Sequence, residues 1–545
     1  MFHDTSRRRF LRNLGIVGGA LALGPQVVSA EPADDRFIVD AEARDELGPQ
    51  IKIVHDFEDE IGYLVVTGPR RQIPANVDFA HDRIIELDVP AEASGGEYDA
   101  PEKFPLQWDK QDQHVPDVHE MATGDGARVG IIDSGVLGAN TDEDFEHPDL
   151  EENVNEELSM ALVADRRDGG DRFGPGPLES DHGTHVAGTA AATSGGEVVG
   201  HAPDAEIVDF RVFSGLTASF ADIVAAHIYA AKNEADGGAD CDVVNLSLGT
   251  PPYIPVDDPD EFDDETVEAI APYFLIEAGE FEFITGFTQV AARYALEHGT
   301  LLVSSAGNDG VNVDELPPEL DEDDVADVDV EGFEPPTQLP AGLPEFMSVS
   351  ATGPIGFRWD PEDAFGGTDI DPIASLKPTE PSFFTTYGPE TTDVSAPGGN
   401  ADLRAGELED ETTWFLDLVL STEFDETVWQ DADQSRVRRR HRYPPIEGWK
   451  AGTSMAAPQV TGLAALLFEL DPDATPEEVR EHIQNTAEEV EIGAEDNDLY
   501  VTTAPDPADE MSGFVRSTEE RPDSATYRGN GHINTFSAVN EWSNE

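Results

Sequence analysis

The 545-residue sequence is poor in basic residues and in cysteine. It holds 32 Lys and Arg against 114 Asp and Glu, which gives a formal net charge of -82 at pH 7. Because a protein needs a basic surface to bind phosphates, this composition excludes a nucleic-acid partner held by charge. Cys241 is the only cysteine, so no disulfide bond can form within the chain. Stability therefore has to come from packing, ions or salt.

The excess of acidic residues predicts adaptation to concentrated salt. Repulsion among so many carboxylates destabilises a compact state in dilute buffer. In about 1 M salt the Debye length falls to roughly 3 Å, and most of this repulsion is screened. The acidic residues are spread along the whole chain. This distribution favours salt adaptation over the alternative of an ordinary protein with acidic tails.

Long apolar runs are also scarce, and the main exception lies near the N-terminus. Residues 7–11, Arg-Arg-Arg-Phe-Leu, precede an apolar stretch at 14–28, and Val28-Ser29-Ala30 offers the small residues of a cleavage site. The stretch is shorter than the ~20 residues of a membrane-spanning helix. Paired arginines before it are typical of a twin-arginine signal. We interpret residues 1–30 as a signal peptide rather than a membrane anchor, which predicts a secreted, extracellular protein with no membrane association after cleavage.

Strand and helix patterns alternate from residue 101 to the end of the chain. Apolar strand-type runs occur at 128–132, 242–246 and 301–304, with helical patterns between them. Repeated β-then-α units predict an α/β fold with a doubly wound, mostly parallel sheet. In such sheets functional side chains gather at the carboxyl ends of the strands.

Acidic segments with prolines interrupt this pattern at 257–265 and 314–334, and we interpret both as surface insertions. A third irregular stretch, 399–447, ends in a basic cluster at 436–442 whose role the sequence does not indicate.

Four short motifs place a reactive side chain just after a strand or at the start of a helix. Asp133 ends the first strand, and His182 opens a helix in the run Asp-His-Gly-Thr-His. Asn308 follows the strand at 301–304, and Ser454 lies in Gly-Thr-Ser-Met-Ala-Ala-Pro before an apolar helical run. Taken singly, each has an ordinary structural explanation as a turn former or helix cap.

Together these residues supply the parts of a nucleophilic serine site. A serine hydroxyl reacts only if a base takes its proton, and a neutral imidazole held by a carboxylate suits this role. Asp133, His182 and Ser454 are therefore the predicted catalytic residues. The Ser454 backbone N–H at a helix N-terminus and the Asn308 amide would stabilise a developing oxyanion.

The order Asp, His, Ser with these flanking residues resembles the subtilisin family of serine proteases, and the acidic composition resembles its haloarchaeal members. The likeness extends from about residue 106 to 539. It implies a serine endopeptidase that hydrolyses protein or peptide substrates through an acyl-enzyme and needs no cofactor for its chemistry. It also implies that Ser247, Leu248 and Gly249 pair with the backbone of an extended substrate. The sequence does not determine the oligomeric state, for which a monomer is the default expectation.

Two features depart from the family. Residues 192–197 replace a longer loop that often helps to hold calcium, so a structural calcium ion is possible but has no predicted ligands. Insertions after Thr250 and Gly310 flank the expected cleft, so the shape of the pocket is not predicted.

Residues 31–100 contain short strand-type runs at 37–39, 51–54, 63–66 and 84–89, which predict a small β-containing domain. A linker is predicted at 93–96, Ala-Ser-Gly-Gly. From its position we interpret this domain as a propeptide that assists folding and blocks the cleft. A plain N-terminal extension retained in the mature protein is the alternative.

Two other functional classes can be compared with the protease hypothesis. A catalytically dead binding protein on the same fold is disfavoured by the complete set of Asp133, His182 and Ser454. A sedolisin-like acid peptidase requires a glutamate base and an oxyanion-hole aspartate, and His182 and Asn308 contradict it. His185 and Cys241 are predicted to be structural, and the loop at 147–150 to have a positioning role.

Overall fold

A computed structural model describes most of the chain between residues 31 and 544. The described residues are 31–87, 89–94, 103–139, 146–163, 175–177, 180–259, 262, 270, 272–317, 333–355, 378–401, 414–425, 427–430, 439–442, 444–490 and 524–544. The predicted signal peptide at 1–30 and most of the two acidic insertions lie outside them.

The strands and helices of this part are numbered in chain order. The first group is β1 (Glu31–Asp40), β2 (Lys52–Phe57), β3 (Tyr63–Thr67), β4 (Phe79–Glu86), β5 (Ala91–Ser94), α1 (Trp108–Asp112), α2 (Val115–Val118), β6 (Arg128–Asp133), β7 (Met160–Ala161), α3 (His182–Ala191), β8 (Glu206–Arg211), β9 (Phe213–Ser214), β10 (Thr217–Ser219) and α4 (Phe220–Ala231). The second group is β11 (Val243–Leu246), β12 (Tyr253–Val256), β13 (Phe274–Glu277), α5 (Ala278–Glu297), β14 (Leu301–Ser305), β15 (Met347–Thr352), β16 (Val394–Pro397), β17 (Val419–Phe424), β18 (Thr427–Gln430), β19 (Arg439–Arg442), β20 (Pro445–Ala451), α6 (Thr453–Leu470), α7 (Pro476–Thr486), α8 (Ser524–Arg528) and α9 (Thr535–Trp542).

A seven-stranded parallel sheet forms the centre of the molecule, in the order β16-β15-β14-β11-β6-β8-β7. Successive side chains of a strand point to opposite faces, and both faces here are covered by helices. Val129 and Ile131 of β6 join one apolar core with α3 and α6, whereas Ile132 joins a second core with α4 and α5. Burial on both faces explains the continuous apolar runs, and the predicted doubly wound α/β fold is confirmed.

The N-terminal residues form a separate antiparallel unit that packs on α4 and α5. Its sheet has the order β2-β3-β1-β4-β10-β9, so β9 and β10 of the following domain complete it. In β1, Phe37 and Val39 face a small core of the unit itself, while Ile38 joins the core that contains α4 and α5. The predicted small β-containing domain is therefore present.

Strand β5 belongs to another sheet, with the order β17-β20-β5. It begins five residues after β4 ends and pairs antiparallel with β20, in the register Ala91↔Ala451 to Ser94↔Gly448. The linker predicted at 93–96 is thus wrong for Ala93 and Ser94, which lie in a strand. Four residues of the basic cluster, 439–442, form β19, which pairs with β18. No helix of the described residues is long and apolar enough to span a bilayer.

Candidate active site

Asp133 and His182 meet at the carboxyl edge of the parallel sheet. Asp133 is the last residue of β6, His182 is the first of α3, and both side chains are buried. His182 Nδ1 lies 2.8 Å from Asp133 Oδ1, and the Ser134 backbone N–H donates to the same oxygen at 2.6 Å. Gly183 allows this approach, because a Cβ there would lie 2.7 Å from the Gly135 carbonyl oxygen.

The contact with Asp133 favours the imidazole tautomer that carries its proton on Nδ1. Nε2 of His182 is then the acceptor nitrogen. This atom is buried and makes no hydrogen bond with any of the described residues. His182 is thus held by its carboxylate and keeps Nε2 available as a base.

Ser454 is the second residue of α6, so its backbone N–H is one of the first four, which have no acceptor within the helix. Gly452 precedes the helix with a φ of 157° and a bend that brings the chain into it. The Ser454 hydroxyl donates to the Ser247 carbonyl oxygen at 3.2 Å.

Pro458, four residues after Ser454 in the same helix, leaves the Ser454 carbonyl without its usual helical hydrogen bond. In a regular helix this carbonyl would accept from the N–H of residue 458, and Pro458 has none. The Ser247 hydroxyl donates to it instead, at 2.7 Å. The Ser247 hydroxyl oxygen also accepts from Asn245 Nδ2 at 2.9 Å. Hydrogen bonds through Ser247 therefore connect β11 with the start of α6.

Asn308 lies just beyond β14 and is fixed through its side-chain oxygen. Oδ1 accepts from both the backbone N–H and the hydroxyl of Thr453, each at 2.9 Å. The Thr453 hydroxyl in turn accepts from the Gly307 N–H at 3.1 Å. These contacts fix the plane of the Asn308 amide next to the start of α6. Its oxygen is used by Thr453, and its nitrogen lies on the side of the amide away from these contacts.

The three predicted substrate-binding residues share one cleft with Ser454 and Asn308. Ser247, Leu248 and Gly249 line it together with Ser305, Gly307, Asp309, Gln338 and Thr453. The structure therefore places the predicted nucleophile, the predicted oxyanion-hole amide and the predicted substrate-binding residues, which follow β11, in one cleft.

The same cleft is lined by Glu86 and Leu87 of the N-terminal unit. The Leu87 N–H donates to the Leu216 carbonyl at 2.9 Å, which continues the pairing of β4 with β10. Pro90 lies beyond it, with its Cδ 3.4 Å from where a Cβ on Gly452 would be. Leu87 thus lies beside β10, Pro90 beside Gly452, and the residues from Ala91 beside β20.

His185 and Cys241 have the structural roles that the sequence predicts. His185 Nε2 lies 3.0 Å from the Val419 carbonyl oxygen, and burial holds the pKa of this histidine well below its usual value. Cys241 is buried under the sheet, and burial raises the pKa of its thiol, which makes it unreactive. In the predicted positioning loop, His147 Nε2 contacts the Ile446 carbonyl at 3.0 Å.

Asp209 is a buried acid behind the site that the sequence analysis missed. It lies on β8, next to β6, and accepts from the Gly176 N–H at 2.7 Å. Burial raises its pKa to about 7. A polar residue inside the apolar run Ile-Val-Asp-Phe was the signal that could have revealed it.

The residues at the expected calcium position are a poor fit for a cation. Asp149 accepts from the backbone N–H groups of Glu197 and Val198, at 3.0 and 3.1 Å. The short loop thus turns donors toward the carboxylate, whereas Ca²⁺ needs six to eight oxygen ligands. Among the described residues, no group of three or more His, Cys, Asp or Glu side chains is placed to hold a metal.

A parallel α/β sheet with an Asp–His pair at its carboxyl edge and a serine at a helix N-terminus defines the architecture of a serine hydrolase. Residues 124–515 match the Subtilase family, peptidase S8, so the chain belongs to this family. It is 25% identical to the halolysin-like extracellular serine protease Nep of Natrialba magadii, over 93% of this chain and 75% of Nep.

Two further relatives match over a smaller part of their own length. Serine protease AprX of Bacillus subtilis is 24% identical, over 67% of this chain. The matched region spans 62% of AprX and 38% of fervidolysin from Fervidobacterium pennivorans. The solved structure of the epidermin leader peptide processing serine protease of Staphylococcus aureus superposes with a TM-score of 0.54 at 18% identity, covering 93% of this chain and 97% of that one.

Proposed function

We propose that the protein is a serine endopeptidase that cleaves protein or peptide substrates through an acyl-enzyme. The observation that carries this proposal is the 2.8 Å contact of Asp133 with His182, combined with Ser454 and Asn308 in one cleft. Membership of the Subtilase family supports it.

The reaction follows from the roles of these groups. His182 Nε2 takes the Ser454 hydroxyl proton as Oγ attacks the carbonyl carbon, and it then protonates the leaving amine. Asp133 stabilises the imidazolium between the two steps. A water molecule, deprotonated by the same histidine, hydrolyses the acyl-enzyme and regenerates Ser454.

The Ser454 backbone N–H and the Asn308 amide nitrogen are the proposed oxyanion donors. Both belong to groups fixed before substrate arrives, the first by α6 and the second by Thr453. Donors that need no reorganisation during the reaction give the largest electrostatic stabilisation. Ser247, Leu248 and Gly249 would pair with the backbone of the bound substrate.

We further propose that residues 31 to about 100 are a propeptide that covers the cleft. Support comes from Glu86 and Leu87, which line the cleft together with Ser454. The unit is also tied to α4 by buried charges, because Arg36 pairs with both Asp82 and Asp222, and His55 Nε2 lies 2.7 Å from Asp222.

Export through a twin-arginine signal and operation in concentrated salt complete the proposal. The charge of -82 supports salt adaptation, and the printed name of the relative Nep describes an extracellular protease. We propose a monomer that needs no cofactor for its chemistry, and we assign no residues to a structural calcium ion.

The decisive experiment compares the wild type with Ser454→Ala, both purified in multi-molar salt. Casein hydrolysis and labelling by a fluorophosphonate probe should occur only in the wild type. A shortened form that lacks the N-terminal unit should likewise appear only in the wild type. A folded wild type that neither hydrolyses casein nor reacts with the probe would refute the protease proposal, and a catalytically dead binding protein would then be the better interpretation.

A further inference from the structure

Lys450 is a buried cation close to the catalytic residues. It lies on β20, four residues before Ser454, and its side chain is only 2% exposed. Its ammonium nitrogen is 3.1 Å from a carboxylate oxygen of each of three residues, Glu92, Asp181 and Glu423. Asp181 immediately precedes His182, so this cluster lies at the start of the helix that carries the proposed base.

The three carboxylates are not equivalent. Glu423 is 3% exposed on β17, and Asp181 is 24% exposed at the start of α3, so both belong to the body of the domain. Glu92 is 65% exposed and lies on β5, in the segment that follows Leu87, which lines the cleft. The ammonium of Lys450 lowers the pKa of Glu92, so the surroundings favour a negative charge at this position.

Backbone pairing between β5 and β20 determines the position of Glu92 relative to Lys450. Lys450 is the direct partner of Glu92 in the antiparallel register of β20 and β5. Because β17 pairs with the opposite edge of β20, loss of β5 would expose one edge of β20 and its backbone donors and acceptors. An extended peptide can add to such an edge as a new strand.

The positions of the residues before and along β5 indicate how a strand on this edge is oriented relative to the cleft. Leu87 is bonded to Leu216 beside β10 and lines the cleft together with Ser454, Pro90 lies next to Gly452, and from Ala91 the chain pairs with β20. A substrate lying the same way would place the residues after its cleaved bond along β20.

We propose that the β20 edge is the binding strand for the carboxyl-side half of the substrate, and that Lys450 selects an acidic side chain at the substrate position that replaces Glu92. This proposal rests on the proposed endopeptidase function and on removal of the N-terminal unit. The position lies three to five residues beyond the cleaved bond, because that bond falls between residues 87 and 90.

The test uses the matured enzyme and three internally quenched peptides with the sequence of residues 84–94. They differ only at the position of Glu92, which is Glu, Gln or Lys, and mass spectrometry of the products locates the cleaved bond. We expect kcat/KM to be about fivefold higher for Glu than for Gln, and lower again for Lys, at the lowest salt concentration that keeps the enzyme folded. Equal values for the three peptides would overturn the proposal.

Two variants separate the effect of Lys450 from a general electrostatic field. Lys450→Gln should reduce the ratio of Glu to Gln peptide to about one. The matched control is Arg293→Gln, which removes an exposed cation on α5 that pairs with Glu345. It should keep both the activity and the ratio of the rates for the Glu and Gln peptides. A ratio that persists in Lys450→Gln contradicts the assignment to Lys450. If Lys450→Gln does not fold, equal rates for the three peptides on the wild type still overturn the proposal.

A peptide anilide that ends at the cleaved bond has no residues to place along β20, so it reports chemistry at Ser454 alone. Hydrolysis of the anilide together with equal rates for the three peptides would remove the β20 proposal and leave the proposed function intact. No hydrolysis of either kind of substrate would overturn both.

Discussion

Ser247 and Ser454 exchange two hydrogen bonds across the cleft. The Ser247 hydroxyl donates to the Ser454 carbonyl at 2.7 Å, and the Ser454 hydroxyl donates to the Ser247 carbonyl at 3.2 Å. The first bond exists because Pro458 cannot serve that carbonyl from within α6. Ser247, which follows β11 and lines the cleft, is therefore connected directly to the helix that carries Ser454.

Ser247→Ala should lower the free energy of unfolding by about 1–3 kcal/mol, because it leaves the buried Ser454 carbonyl and the Asn245 amide without this partner. Adding Pro458→Ala should recover part of the loss, since an N–H at residue 458 can reach the Ser454 carbonyl. Denaturant unfolding in a Ser454→Ala background, which prevents self-digestion, measures both effects. Ser214→Ala, at an exposed position, is the control, and absence of any recovery in the double variant contradicts this account.

Asn308→Ala should reduce kcat by about 10²–10³, the loss expected when one oxyanion donor is removed. KM should change little, because the donor acts mainly on charge that develops in the transition state. Steady-state kinetics on a peptide anilide measure the two constants separately. A variant that loses affinity for substrate and keeps its kcat would assign Asn308 to binding instead.

His227 should make the fold sensitive to mild acid. It is buried beside Phe346, its two ring nitrogens make no hydrogen bond among the described residues, and burial lowers its pKa to about 3. In the unfolded chain His227 therefore binds a proton near pH 6.5, whereas in the folded protein it binds one only near pH 3. Stability is complete above pH 6.5 and falls as the pH decreases, by about 2 kcal/mol from this group at pH 5.

His227→Leu removes this titration. Between pH 8 and pH 5 its free energy of unfolding should therefore fall by about 2 kcal/mol less than that of the wild type. Denaturant unfolding at the two pH values gives the comparison. His114→Asn is a suitable control, because His114 is 61% exposed and its left-handed backbone suits asparagine. Parallel pH profiles for wild type and His227→Leu would contradict the assignment.

The melting temperature should rise steeply between 0.1 and 1 M NaCl, where the Debye length falls from about 10 to about 3 Å, and only slowly above that. Screening of the net charge of -82 is the physical reason. Scans in chloride and in sulfate at matched ionic strength distinguish it from salting-out. If sulfate raised the melting temperature continuously and far more than chloride, burial of apolar surface would be the cause.

The sequence predicts best those elements whose own residues determine them. Strands β6, β11 and β14 are buried on both faces, so each is a short apolar run that hardly depends on its neighbours. Helix α6 has an apolar run and a glycine just before it. Asp133 and Ser454 follow from these elements, because Asp133 ends β6 and Ser454 is the second residue of α6.

Features that depend on a distant partner were not predictable. Strand β5 reads Ala-Glu-Ala-Ser, a composition typical of a linker, and it is a strand only because β20 offers it an edge. The cluster around Lys450 joins residues from four separated segments, and no spacing in the sequence connects them. The hydroxyl of Ser454 also points to Ser247, a rotamer that the motif alone does not define.

Leu87 lines the cleft and belongs to the same chain as Ser454, and under the propeptide proposal this covalent attachment has a kinetic consequence. A tethered segment competes with free substrate at an effective concentration in the millimolar range, set by the length of the tether and not by the amount of protein. Dilution into a large volume cannot empty the cleft while the chain is intact. Once a bond between these residues breaks, occupancy becomes bimolecular, and dilution alone then favours the open site.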